Sequence, residues 1–157
     1  MKKNVWKKAL IFMTIIAFLL IGLKFDGNIS HLLEQRADSM NNVQMGGSRY
    51  SLSLASLKYY VSYITEPFAF RNIFGNAGLF AGLSFCACGA FSDKKLLSSW
   101  AYSFSIGVGI ELFQYFTCFG AFDLSDILLR FAGIMAGILM YIAVSKLFHE
   151  KDACRTK

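Results

Sequence analysis

The chain has 157 residues, of which 55% are hydrophobic and 17% charged, with a single proline and a mean hydropathy of +0.47. Water-soluble domains carry about 25% charged residues, so this composition excludes an ordinary soluble domain, a disordered chain and a fibrous repeat, and points to a surface that faces lipid. The formal charge of +6 does not indicate nucleic acid, because the basic residues flank apolar blocks, where they address headgroups and set topology.

In chain order, the first apolar block runs from Ala9 to Leu23 behind Lys2, Lys3, Lys7 and Lys8. It is short for a span, and Lys8 and Lys24 must snorkel to extend it. No small-x-small cleavage site follows Leu23, which favours a retained anchor helix over a cleaved signal. A connection of about 24–66 follows, too poor in apolar residues to build its own core. Asn41-Asn42 and Gly46-Gly47 read as turn or flexible punctuation. Leu54, Leu57, Val61 and Ile64 fall at i, i+3, i+7 and i+10. They suggest an amphipathic helix on the membrane surface with Tyr59, Tyr60 and Tyr63 at headgroup level. A loop covering the bundle mouth is the equal alternative.

The second block, Asn72 to Ser92, is uncharged and follows Pro67, a residue suited to a first helical turn. The third, Leu96 to Phe122, is interrupted only by Glu111, and the fourth, Ile127 to Ser145, only by Arg130. The expected fold is an all-α polytopic bundle: one integral membrane domain over 1–157 with four spans at about 6–23, 69–92, 96–118 and 124–146. With the amino terminus inside, ten of the sixteen basic residues lie in inside segments: Lys2, Lys3, Lys7, Lys8, Lys94, Lys95, Lys146, Lys151, Arg155 and Lys157. The positive-inside rule then places both termini in the cytoplasm. Cys86, Cys88, Cys118 and Cys154 have no zinc-type C-x-x-C spacing and sit at different depths, so they read as small apolar fillers.

Polar residues within spans are costly and are functional candidates by default. On the third span, Gly107, Glu111, Gln114 and Cys118 form one stripe; on the fourth, Asp126, Arg130, Gly133 and Gly137 form another. The second span contributes Asn72 and Asn76, with Gly75, Gly78 and Gly82 beside them. At 1.5 Å per residue, Glu111, Asn76 and Arg130 come to similar depths, roughly 8–10 Å below the outer surface of a 30 Å core. Two Gly-x-x-x-Gly pairs, Gly78/Gly82 and Gly133/Gly137, would let these faces approach closely. Two readings stay open. In one, Glu111 and Arg130 neutralise each other while Asn76 and Gln114 act as structural glue. In the other, the cluster is an outward-opening pocket, with Glu111 and Asp126 as candidate catalytic carboxylates and Asn76, Gln114, Asp123 and Arg130 as binding residues, Arg130 suited to a phosphate or carboxylate.

These segments resemble the VanZ-like membrane proteins. The pattern is carried by Gly75-Asn76-Ala77-Gly78-Leu79-Phe80, Glu111-Leu112-Phe113-Gln114, Asp123-Leu124-Ser125-Asp126 and Gly133-Ile134-Met135-Ala136-Gly137, over roughly 67–145. The resemblance implies a small bacterial protein of the cell envelope, the family's namesake being associated with resistance to teicoplanin. Three departures stand out: Ala81 replaces a proline, Gly120-Ala121 lacks an arginine before the first aspartate, and Arg130 replaces an asparagine. Arg130 is expected to supply the missing positive charge. Implied partners are membrane lipid, lipid-linked envelope material or a glycopeptide. No nucleotide-binding loop, metal cluster or nucleic-acid module is legible, and no cofactor is expected. Whether the protein is an enzyme stays open. A non-catalytic accessory or scaffold subunit is the alternative to an effector, and a transporter is disfavoured by the lack of an inverted repeat.

Overall fold

The computed structural model describes residues 3–25, 27–91 and 96–155. Helix α1 (Lys3–Ala17) continues into a π-helical turn, Phe18–Gly22. Helix α2 (Ile29–Gln44), strand β1 (Tyr50–Ser51) and helix α3 (Ala55–Ser62) form the long connection. Helices α4 (Pro67–Phe91) and α5 (Leu96–Thr117) follow, then strand β2 (Phe122–Asp123) and helix α6 (Leu124–Arg155). Four of these helical segments, Asn4–Gly22, Pro67–Phe91, Leu96–Thr117 and Leu124–Leu147, are long and apolar enough to cross a membrane. Helices are the solution an apolar solvent imposes, since each span must satisfy its own backbone.

Helix α4 is the centre of the bundle, and α1, α5 and α6 all pack on it. Its buried positions are mostly small: Ala69, Ala81, Ser84, Ala87 and Ala90. This lets α6 come close, and a Cβ at Gly133 or Gly137 would fall 2.1 Å from the carbonyl oxygen of Ala77 or Ala81. The Ser84 hydroxyl donates to the Ile134 carbonyl across the same seam at 3.0 Å. On the other side of α4, Trp6 of α1 meets Phe85 edge-on, and Thr14 of α1 reaches the Tyr102 hydroxyl of α5 at 3.0 Å. Large apolar side chains such as Phe12, Leu97 and Leu139 point away from the bundle, as a lipid-facing surface requires.

Several expectations need correction. The connection is not a structureless loop: α2 occupies sixteen residues of it, capped by the Asn28 side chain accepting from the Ser30 amide, and Asn41-Asn42 lie inside this helix. No residue of α2 is buried, although Ile29, Leu32, Leu33, Met40 and Val43 recur at helical spacing. Helix α3 exists, but it buries Leu57 and Tyr60 against Ala69, Ile73 and Leu129, while Leu54, Val61 and Ile64 are exposed. It covers the bundle mouth. Gly78 meets nothing and takes no part in packing, whereas Gly82 receives Met13 of α1. The fourth span, Leu124–Leu147, agrees with the expected 124–146, and helix α6 continues beyond it to Arg155. Lys2, Lys94, Lys95 and Lys157, used for orientation, lie outside the described residues, as does the side chain of Cys154.

Candidate functional site

The polar positions of α4, α5 and α6 meet at the end of the bundle that carries the long connection. Arg130 and Glu111 lie six residues inside α6 and α5, roughly 9 Å from the helix ends. Both are essentially inaccessible, at 1% and 0% exposure. Arg130 Nη2 pairs with Glu111 Oε1 at 2.5 Å, Nε donates to Asn76 Oδ1 at 3.0 Å, and Nη1 donates to the Gly107 carbonyl at 2.8 Å. The Phe80 ring lies 5.6 Å from the guanidinium. Each polar edge of the guanidinium is therefore matched, which is the condition for holding a buried charge.

Glu111 is matched as well. Its Oε2 accepts the backbone N–H of Asp123 at 2.9 Å, which fixes the turn from α5 into α6. Asp123 then caps α6, its Oδ1 accepting from the Ser125 amide at 2.8 Å while its Oδ2 accepts from the Ser56 hydroxyl of α3 at 2.8 Å. Ser125 Oγ accepts the Leu57 amide of α3 at 3.2 Å. Strand β1 adds a parallel pairing, Tyr50 opposite Phe122 and Ser51 opposite Asp123. One continuous polar chain thus runs from Asn76 through Arg130, Glu111 and Asp123 to the covering helix α3.

Gln114 is buried but belongs elsewhere, donating to the Ile21 carbonyl at 2.7 Å. The π-helical turn leaves that carbonyl to a side-chain partner. Asp126 Oδ1 is buried with no hydrogen-bond partner among the described residues; Glu111 Oε1 makes no hydrogen bond either, but it faces Arg130 Nη2 as an ion pair. It sits in the first turn of α6, where the helix dipole favours a carboxylate. Asn72 donates only to the Phe68 carbonyl in its own helix. Cys118 is more than a filler, since it ends α5 at φ +61° and its sulfur accepts from Arg49 Nη1 at 2.9 Å.

Ser56, Ser125, Arg49 and Tyr60 were not legible as members of this region. Each depends on a contact with a residue far away in the chain. Tyr60, buried under α3, has its phenol pushed up to about 12 by burial, with the Asp126 and Asp123 carboxylates and Tyr59 adding to the shift. A raised pKa in the folded state means that this contribution to stability is complete below pH 10 and is lost as the pH climbs from about 10 toward 12. Phenolate absorbance should show a phase near pH 12 that belongs to Tyr60. Tyr60→Phe should remove that phase; its persistence would refute the assignment.

A family model, VanZ/LLP1, matches residues 9–148. The chain belongs to the VanZ/LLP1 family. Comparison with curated proteins and with solved structures gives no match. The matched stretch extends beyond 67–145 to take in α1, α2 and α3, so the covering connection belongs to the family unit together with the polar cluster. The chain is a multi-pass VanZ-like membrane protein.

Proposed function

We propose that this VanZ-like protein works at the outer face of the bacterial cell membrane, with both termini cytoplasmic, and lowers susceptibility to glycopeptides of the teicoplanin type. The mouth under α3 faces outward in this reading. Asp126 is the acid that meets a polar or phosphorylated envelope ligand, Glu111, Asn76, Asp123 and Arg130 hold the mouth in shape, and Gln114 ties α5 to the π-helical turn. The observation that carries it is the buried Asp126 oxygen, which has neither a hydrogen-bond nor an ion-pair partner among the described residues, beside a Glu111–Arg130 pair whose otherwise unbonded Oε1 and Nη2 face each other. Arg130 also stands in for the arginine missing at Gly120-Ala121 by pairing with Glu111; unchanged folding and resistance in Arg130→Asn would remove that idea.

A second reading, a non-catalytic accessory or scaffold subunit, is favoured by the tight α4–α6 seam at Gly133 and Gly137. The two part in one assay. Teicoplanin and vancomycin susceptibility are measured in a Gram-positive host making wild type or Asp126→Asn at equal membrane levels. Protection lost with Asp126→Asn supports a site that binds or acts on a ligand. Protection retained supports the scaffold, and no protection from the wild type refutes the resistance role.

A further inference from the structure

Beside the polar chain, and separate from it, lies a cavity of about 330 Å³ lined by Tyr50, Leu52, Leu112, Tyr115, Phe116 and Phe122. It is formed where β1 and β2 overhang the last turns of α5. Its volume is at the lower end of the range for small-molecule sites. Every lining side chain is apolar or aromatic, and Tyr50, Leu52, Leu112 and Phe116 are exposed, Phe116 to 73%, so the cavity opens sideways into the lipid rather than into the bundle.

Cations crowd the same end of α5. The Arg49 guanidinium lies over the Tyr115 ring at 4.7 Å, Arg36 lies over Phe119 at 5.5 Å, and the Lys24 side chain comes within 3.4 Å of the position a Cβ would take on Gly120. Part of this is the usual attraction of cations to a helix C-terminus. Arg49 goes further. Among the described residues its one side-chain hydrogen bond is to the Cys118 sulfur, a weak acceptor, and no carboxylate pairs with it. A five-donor fork suited to phosphate therefore lies over Tyr115, one of the rings that line the groove, at the level where aromatic residues mark the interface.

From this arrangement we infer that the outer end of α5 binds one anionic phospholipid, an acyl chain in the groove against Leu112, Tyr115 and Phe116 and the phosphate on Arg49. The occupant comes from the surrounding leaflet. Because Phe122 precedes Asp123, the bound chain lies one residue from the Glu111–Asp123 bond. The inference rests on the membrane-spanning reading and not on any resistance role, so a failed susceptibility assay leaves it standing and its own failure leaves that assay untouched.

The test uses the full chain in nanodiscs of phosphatidylglycerol or of phosphatidylcholine with identical acyl chains. Each carries a photoreactive diazirine on the chain, and adducts are mapped by mass spectrometry. Adducts should concentrate at 112–122 relative to the lipid-exposed position Leu139, with a preference for phosphatidylglycerol of roughly fivefold, the effect of one basic residue at an anionic surface. Leu112→Trp should fill the groove and remove these adducts, Leu139→Trp should not, and Arg49→Gln should abolish the headgroup preference. Should Arg49→Gln fail to fold, the two lipids compared on the wild type decide alone. Equal labelling at the groove and at Leu139, or equal labelling by the two lipids, overturns the site.

Discussion

Glu111→Gln is expected to destabilise the protein by about 3–5 kcal/mol, because it leaves the Arg130 guanidinium buried without its counter-charge. The neutral amide can still accept the Asp123 amide hydrogen, but it then turns N–H donors toward another donor group. For a chain of this length that loss lowers the midpoint of thermal unfolding by roughly 10 °C or more, read in detergent by tryptophan fluorescence. Arg130→Met should cost a similar amount by orphaning the carboxylate. Glu111→Met should likewise leave the guanidinium unpaired, and the double variant Glu111→Met with Arg130→Met should recover much of the loss of either methionine single, since removing both charges spares the penalty of an unpaired one. Recovery stays incomplete because the Asp123 amide, Asn76 Oδ1 and Gly107 carbonyl each lose a partner. If the double variant is as unstable as the sum of the singles, the pair is not coupled and the polar chain does not hold the mouth together.

That cluster was partly legible in advance. Asn76, Glu111 and Arg130 are polar residues in otherwise apolar blocks, and helical rise alone brought them to one depth. Helical spacing also put Gly133 and Gly137 on the Arg130 face, where they meet α4. What stayed hidden was set by the backbone or by distant partners. Gln114 bonds a carbonyl at a π-helical turn, and no residue pattern announces that acceptor. The β1–β2 pairing is two residues long, too short for alternation to show. Helix α2 has no fully buried residue, and its apolar positions Ile29, Leu32, Leu33, Met40 and Val43 are diluted by polar neighbours, so the stretch reads as a polar connection rather than a helix. Tyr60, on which α3 docks, stands next to the leucine-rich stripe rather than in it, since the neighbours on α4 and α6 decide which face is covered.

The second large effect concerns the α4–α6 seam, and Gly137→Ala is its sharpest probe. A methyl there would lie 2.1 Å from the Ala81 carbonyl oxygen and 2.2 Å from Ser84 Oγ. Backbone cannot rotate away as a side chain does, so the helices must part, at an expected cost of about 3 kcal/mol. Gly78→Ala is the control: it meets no atom within 4 Å, and the gain in helix propensity should stabilise by up to about 1 kcal/mol. Gly133→Ala carries a further consequence. The Ala77 carbonyl that it would strike adjoins Asn76, and Arg130 lies one turn before Gly133 on α6. Parting the helices at this point pulls Asn76 Oδ1 from Arg130 Nε, now 3.0 Å apart. Gly133→Ala and Asn76→Ala should therefore be less than additive, because the first already breaks the bond the second removes. Gly137→Ala strikes Ala81, five residues or about one and a half turns from Asn76 along α4, and should add to Asn76→Ala more nearly in full. Equal additivity for both pairs would separate the seam from the polar site and leave the glycines with packing as their sole role.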